Sequence, residues 1–230
     1  MNNIAEYVLC RDNIFYFMEK YLKLELRGYQ IDALVRYEDP KRQNVLNILG
    51  HRGCGISTIN AVYLLWRGLF YPNEKLLWVL PNYDTIRTEQ SLIMRLYTTF
   101  TSIWPDDAKT YKINVTSMGR IIFNNDSMIK MIQPDPVKVK GWSFNNTIID
   151  STIKETIEFY ENSVPNLGKL IITNSEIPVS SYFDDFGEVH KYPWYCNGNR
   201  SLEWYIETLN SLGKPTFNRW YGCTRGFRDD

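Results

Sequence analysis

Apolar residues along this chain follow two rhythms that alternate. From Ile14 to Leu26, Phe15, Phe17, Met18, Tyr21, Leu22 and Leu24 recur at roughly helical spacing, which predicts one or two short helices. Leu26-Arg27-Gly28-Tyr29-Gln30 leads into a second amphipathic stretch that ends near Tyr37, where Asp39-Pro40 breaks it. Then the rhythm changes. Asn44 to Gly50, Lys75 to Pro81, Asn146 to Asp150 and Lys169 to Asn174 are short, largely continuous apolar runs, as expected of strands covered on both faces of a parallel sheet. Helical patterns separate them: Ser57 to Trp66, Asp84 to Phe100, and Ile153 to Tyr160. Gly119 to Phe123 and Ser127 to Ile132 flank Asn124-Asn125-Asp126 and read as a hairpin. Beyond Pro178 only Glu203 to Leu212 keeps a helical pattern, closed by Gly213-Lys214-Pro215.

Strands interleaved with helices predict an α/β fold, a mostly parallel, doubly wound sheet sandwiched by helices, with ligands at the carboxyl ends of its strands. Without an internal repeat or low-complexity linker, residues 1–230 read as one domain. It comprises a helical lead-in (1–43), an α/β core (44–178) and a C-terminal subregion (179–230).

Composition narrows the class. The 230 residues are 44% apolar, enough for a substantial core, and 26 basic residues balance 26 acidic ones. A zero net charge makes no demand for nucleic acid. Arg36, Lys41, Arg42, Lys138 and Lys140 permit such a contact and read equally well as solvated loop charges. Cys10, Cys54, Cys196 and Cys223 are widely scattered and only two histidines are present, which argues against a zinc site or a disulfide framework. No apolar run reaches the roughly 18 residues of a membrane span and no signal peptide opens the chain, so the expected setting is intracellular and reducing, without a membrane partner.

The chemistry concentrates in Gly50-His51-Arg52-Gly53-Cys54-Gly55-Ile56-Ser57-Thr58, which lies between an expected strand and an expected helix. The pattern G-x-x-x-x-G-K-[ST] cradles nucleotide phosphates with backbone N–H groups, neutralises them with its lysine and offers Mg²⁺ a hydroxyl. Here the glycines and Ser57 are present, but Ile56 stands at the lysine position. Asp150 ends an apolar strand about ninety residues later, where a magnesium-coordinating aspartate is expected. The next position, commonly a water-polarising glutamate, is Ser151. Glu155 lies a turn further on and reads more naturally as a solvated helix charge. Tyr29 and Gln30 precede the loop, and a glutamine amide can donate to and accept from an adenine edge. Thr173-Asn174-Ser175 closes the following strand, where small polar groups can touch a γ-phosphate or its water.

Together these segments resemble the ATPase domain of the large terminase subunit of tailed bacteriophages and herpesviruses. Leu26 to Gln30 matches the adenine motif, His51 to Thr58 Walker A, and Ile148-Ile149-Asp150 Walker B. Val139-Lys140-Gly141-Trp142-Ser143-Phe144 is the discriminating stretch before Walker B, and Ile171 to Ser175 resembles the coupling motif. The resemblance implies a RecA/ASCE-like P-loop NTPase fold binding ATP and Mg²⁺, with Ser57 and Asp150 on the metal. It also implies Arg52 in the place of an early Walker A arginine finger.

Further implications are double-stranded DNA, a portal ring and other terminase subunits as partners in the host cytoplasm, and a homo- or hetero-oligomeric ring. The chain ends where the resemblance would place a nuclease, and a separate nuclease chain stands as one possible partner. Ile56 and Ser151 depart from the pattern. Losing a charged hydrogen bond of about 1.5–3 kcal/mol weakens triphosphate binding roughly 10- to 100-fold. Losing the water-orienting base removes about 10²–10⁴ in rate. The expectation is therefore a terminase-like protein with weak or absent ATP hydrolysis, a pseudo-ATPase. The alternatives are an active variant in which Arg52 compensates and a regulatory or structural module.

Overall fold

The computed structural model describes residues 2–39, 45–104, 111–117, 119–150, 154–174 and 187–223. Its first helix, α1 (Asn2–Asp12), has little apolar periodicity and no counterpart in the sequence pattern. Next comes α2 (Ile14–Phe17), capped by the Asn13 side chain accepting from the Tyr16 amide, and running directly into a wider π turn over Met18–Leu22. The adenine-motif segment becomes α3 (Gly28–Glu38), whose N-terminal turn is closed by the Gln30 side chain accepting from the Arg27 amide at 3.0 Å.

From there the order is β1 (Val45–Gly50), α4 (Ile56–Phe70), β2 (Lys75–Val79), α5 (Tyr83–Ile103), β3 (Ile113–Ser117), β4 (Arg120–Phe123), β5 (Met128–Ile132), β6 (Asn146–Asp150), α6 (Lys154–Ser163) and β7 (Lys169–Asn174). The edge strand β8 (Glu188–Tyr192) and the helices α7 (Leu202–Leu212) and α8 (Lys214–Phe217) follow. The strands form one sheet in the order β3-β4-β5-β2-β6-β7-β1-β8. From β5 to β8 every pairing is parallel, while β3 and β4 extend the sheet antiparallel beyond β5. The expected β4–β5 hairpin is present; β3 and β8, short and poorly patterned, add to what the sequence predicts.

One detail of this order positions everything that follows. β7 lies between β1, which feeds the glycine loop, and β6, which ends in Asp150. The parallel register sets Ile48 beside Thr173 and Thr173 beside Asp150. Register partners point to the same face of a sheet. The loop strand, the polar end of β7 and Asp150 thus share one face at the carboxyl edge.

That face is covered by α4 and α5. Leu46, Ile48, Leu76, Trp78, Ile148 and Ile171 face a core that includes Ile59, Val62, Phe70, Phe100 and Trp104, with Phe17 and Tyr21 from the lead-in. The alternate strand residues Leu77, Val79, Ile149, Leu170 and Ile172 pack on the other side with Phe159 and Phe144. α4 is almost wholly buried, as a helix covered by the lead-in as well as the sheet must be. Among the described residues no helix is long and apolar enough to cross a membrane.

Phe100 is fully buried and makes edge or tilted ring contacts with Phe17, Tyr21, Phe70, Trp104 and Tyr111, joining the lead-in to α4 and α5. Phe100→Ala is expected to cost about 3–5 kcal/mol, read as a lower urea midpoint with an unchanged m-value.

Candidate nucleotide site

Between β1 and α4 the chain makes the expected glycine loop. Gly53 and Gly55 sit at φ +74° and +76°, left-handed backbone that side chains rarely adopt. A Cβ on Gly55 would also come within 2.8 Å of Gln30 Nε2. α4 begins at the next residue, so the N–H groups of its first turn point out toward the loop, the setting that suits phosphate. Cys54 folds inward, and its amide donates to the His51 carbonyl at 3.0 Å. Burial pushes the thiol up to about 11, so it stays protonated.

Ser57 Oγ donates to Asp150 Oδ2 at 3.3 Å and Thr173 Oγ1 donates to Asp150 Oδ1 at 3.2 Å. Behind them Asn60 Nδ2 donates to Thr173 Oγ1 (3.0 Å) and Tyr37 OH donates to Asn60 Oδ1 (2.7 Å). Three expected site segments are therefore joined by side-chain hydrogen bonds, with Asn60 and Tyr37 as links that no sequence motif singles out. Burial raises the Asp150 carboxyl to about 6, and the two hydroxyls pull it down. A half-buried carboxylate held, among the described residues, by the Ser57 and Thr173 hydroxyls is a donor set that fits a hard divalent cation such as Mg²⁺.

Ile56 is 4% exposed and belongs to the apolar core on the α4 side of the sheet, so its side chain packs as a hydrocarbon. Thr58 follows in the first turn of α4 and is half-buried. Arg52 is exposed, and its guanidinium stacks 4.5 Å above the Trp220 ring. Tyr29 OH and Gln30 Nε2 both donate to the Cys54 carbonyl, at 2.9 and 3.0 Å. In this arrangement the adenine-motif pair braces the loop. Asn174 is buried at the end of β7, opposite Leu49. Glu155 is exposed on α6, in keeping with a solvated charge. Ser151 and Ser175, and with them Lys41 and Arg42, lie outside the described residues. Arg36 bonds Asp32 and His190, whereas Lys138 lies over the Tyr83 ring.

The C-terminal segment clasps the loop from the other side. His51 N and Arg52 N donate to the carbonyls of Tyr192 (3.0 Å) and Trp220 (2.7 Å). Arg200 donates to the Arg52 carbonyl (2.8 Å) while stacking on Trp204 and Tyr221. His51 Nδ1 lies 3.0 Å from the Tyr192 carbonyl and must carry the proton there. Burial lowers the pKa of this fully buried ring and keeps it neutral. Tyr192 OH in turn donates to Asp32 Oδ2 on α3 (2.6 Å).

The strand order, with β7 between the loop strand and the Asp150 strand, gives this chain the fold of RecA-like P-loop proteins. No protein-family model matches the sequence, and no curated protein matches it. Structural likeness is more specific. A mutant form of the Thermus phage P74-26 large terminase ATPase domain superposes with a TM-score of 0.72 at 14% identity, over 91% of this chain and 97% of that one. The HK97 bacteriophage large terminase superposes at 0.73 and 13% identity, over 94% of this chain and 55% of that one. The large terminase of the thermophilic bacteriophage D6E, in complex with ADP, gives 0.64 at 9% identity over 86% and 53%. The fold of this chain is thus that of the phage large-terminase ATPase domain.

Asp150 is bound to lose protons late, so its linkage is of the destabilising kind. In the unfolded chain the carboxyl ionises near the ordinary aspartate value, and in the folded chain only near 6. Between those values the folded state holds the extra proton, so stability contributed by the neutral acid is lost as pH rises from about 4 to about 6. In metal-free buffer the melting temperature of Asp150→Asn should gain on the parent across that window. Added Mg²⁺ should stabilise the parent above pH 6 and leave the variant unmoved.

Proposed function

We propose that this chain serves as a terminase-like ATPase-domain protein of viral DNA packaging, binding Mg²⁺–nucleotide at the 50–58 loop and turning it over slowly. The observation that carries this reading is the Ser57–Asp150–Thr173 hydrogen-bonded set in a fold shared with phage large terminases. Ser57 and Asp150 would hold Mg²⁺, which would supply positive charge against the nucleotide phosphates. The amides of Gly53, Gly55, Ile56, Ser57 and Thr58 would cradle the phosphates, with Tyr29 and Gln30 fixing the loop beneath. Thr173, Asn174 and Ser175 would couple the state of the γ-phosphate to β7. The 1–43 lead-in, 44–178 core and 179–230 subregion would act as one unit, the last clasping the loop. The expected partners are other terminase subunits in a ring, a portal, and double-stranded DNA.

Ile56 limits the chemistry. With a hydrocarbon in place of the lysine, the triphosphate loses a charge-assisted bond of about 1.5–3 kcal/mol. Arg52 stacks on the Trp220 ring. Those two placements favour a second reading, a pseudo-ATPase that binds nucleotide without cleaving it and regulates or completes a packaging ring.

Calorimetry with Mg²⁺ tests the shared part of both readings. ATP and ADP should bind in the micromolar range, and Asp150→Ala should weaken them by about tenfold or more, the loss of one charged contact. Absence of heat up to millimolar nucleotide would reject the nucleotide site. Ile56→Lys should tighten ATP about 10- to 100-fold while lowering the stability of the nucleotide-free chain, because an ammonium then occupies an apolar position. Turnover with double-stranded DNA present separates the first reading from the second.

A further inference from the structure

α5 buries Ile86, Ile93, Leu96 and Phe100 against the same face of the sheet on which Asp150 and Thr173 lie. Their spacing leaves one gap in the seam, at position 89, and the residue there is a glutamate. Glu89 is 7% exposed and, among the described residues, its enclosed Oε2 has no hydrogen-bond partner. A buried, unpartnered carboxylate is costly, and apolar seams of this kind ordinarily carry leucine or isoleucine at such a position. α5 leaves the end of β2, and β2 is the neighbour of β6 on the side away from β7. Glu89 is also close enough to Asp150 for the two charges to repel.

We propose that Glu89 is the base that activates the attacking water, supplying from α5 the carboxylate that the position after Asp150 lacks. The inference rests on the nucleotide-site reading above and extends it. In the step itself the water oxygen forms a bond to the γ-phosphorus and one water proton passes to the Glu89 carboxylate. The bond from the γ-phosphorus to the β–γ bridging oxygen breaks, its electron pair staying on the oxygen of ADP. Inorganic phosphate leaves and Glu89 returns its proton to solvent. Its acidity suits the role: burial and the Asp150 charge raise the carboxyl to about 7, Arg95 opposing them, and a base is most effective when its pKa lies near the working pH. One turn to either side on α5, Ile86 and Ile93 are buried and apolar.

Glu89→Gln and Glu89→Asp test this beside the parent, each checked by circular dichroism. Glu89→Gln should bind Mg²⁺–ATP within about threefold of the parent. It should also lower single-turnover hydrolysis by about 10²–10⁴, so that nucleotide extracted after incubation is ATP. Glu89→Asp should retain part of the rate. A readout free of turnover is the carboxyl ¹³C signal of labelled glutamate. One resonance should titrate near neutral pH, vanish in Glu89→Gln, and move to lower pH in Asp150→Asn. Equal hydrolysis by the parent and Glu89→Gln, or ATP binding by the parent with no turnover at all, overturns the assignment of Glu89 alone. Failure of the parent to bind ATP overturns the nucleotide site with it.

Discussion

The Asp150 carboxylate organises this molecule. It is placed at the end of an apolar strand, deep enough that burial raises its pKa, and its bonds come from the hydroxyls of Ser57 and Thr173. Such a group is tolerable only if its lone pairs are met, and meeting them ties three distant parts of the chain together. Ser57 comes with the first turn of α4, Thr173 with the end of β7. Through Asn60 and Tyr37 the bonds reach back to α3. A change of charge at Asp150 is therefore felt by the loop, the central strand and the lead-in at once.

The glycine loop itself is fixed from two directions. From below, Tyr29 and Gln30 share the Cys54 carbonyl. From outside, Tyr192, Arg200 and Trp220 take up the backbone of His51 and Arg52. The Cys54 amide donates in turn to the His51 carbonyl, so the loop's backbone is held along its first half. The C-terminal segment also commits Arg52 by presenting Trp220 to its guanidinium, a contact worth roughly 0.5–1 kcal/mol at an exposed site. An arginine in the right position of a motif is thereby drawn toward a structural contact.

Much of the α/β core is legible from pattern alone, because each buried strand must be apolar and each helix must show its own period. The helices α3, α4 and α5 and the strands β1, β2, β6 and β7 fall where the pattern places them, within a few residues. α1, β3 and β8 are not legible in this way. α1 has a weak stripe, and β3 and β8 are edge strands with a single neighbour each, so neither had to be apolar. In the site, the motif residues are readable by spacing, but Tyr37, Asn60, Arg200 and Glu89 belong to no motif. Glu89 does leave a signal: a carboxylate at the core position of the series 86, 89, 93, 96 and 100.

The sequence by itself determined the class of fold, the glycine loop and its missing lysine, because strand burial, helix period and left-handed backbone are local demands on residue type. Tertiary structure alone decided the order of the strands, hence that β7 separates the loop from Asp150 and brings Thr173 to its side. It also decided that Ile56 joins the core, that Arg52 meets Trp220, and that a carboxylate on α5 faces the same side of the sheet as Asp150. These are contacts between residues tens to more than a hundred and fifty positions apart. No local rule specifies them; they follow from how the sheet's two faces must be covered.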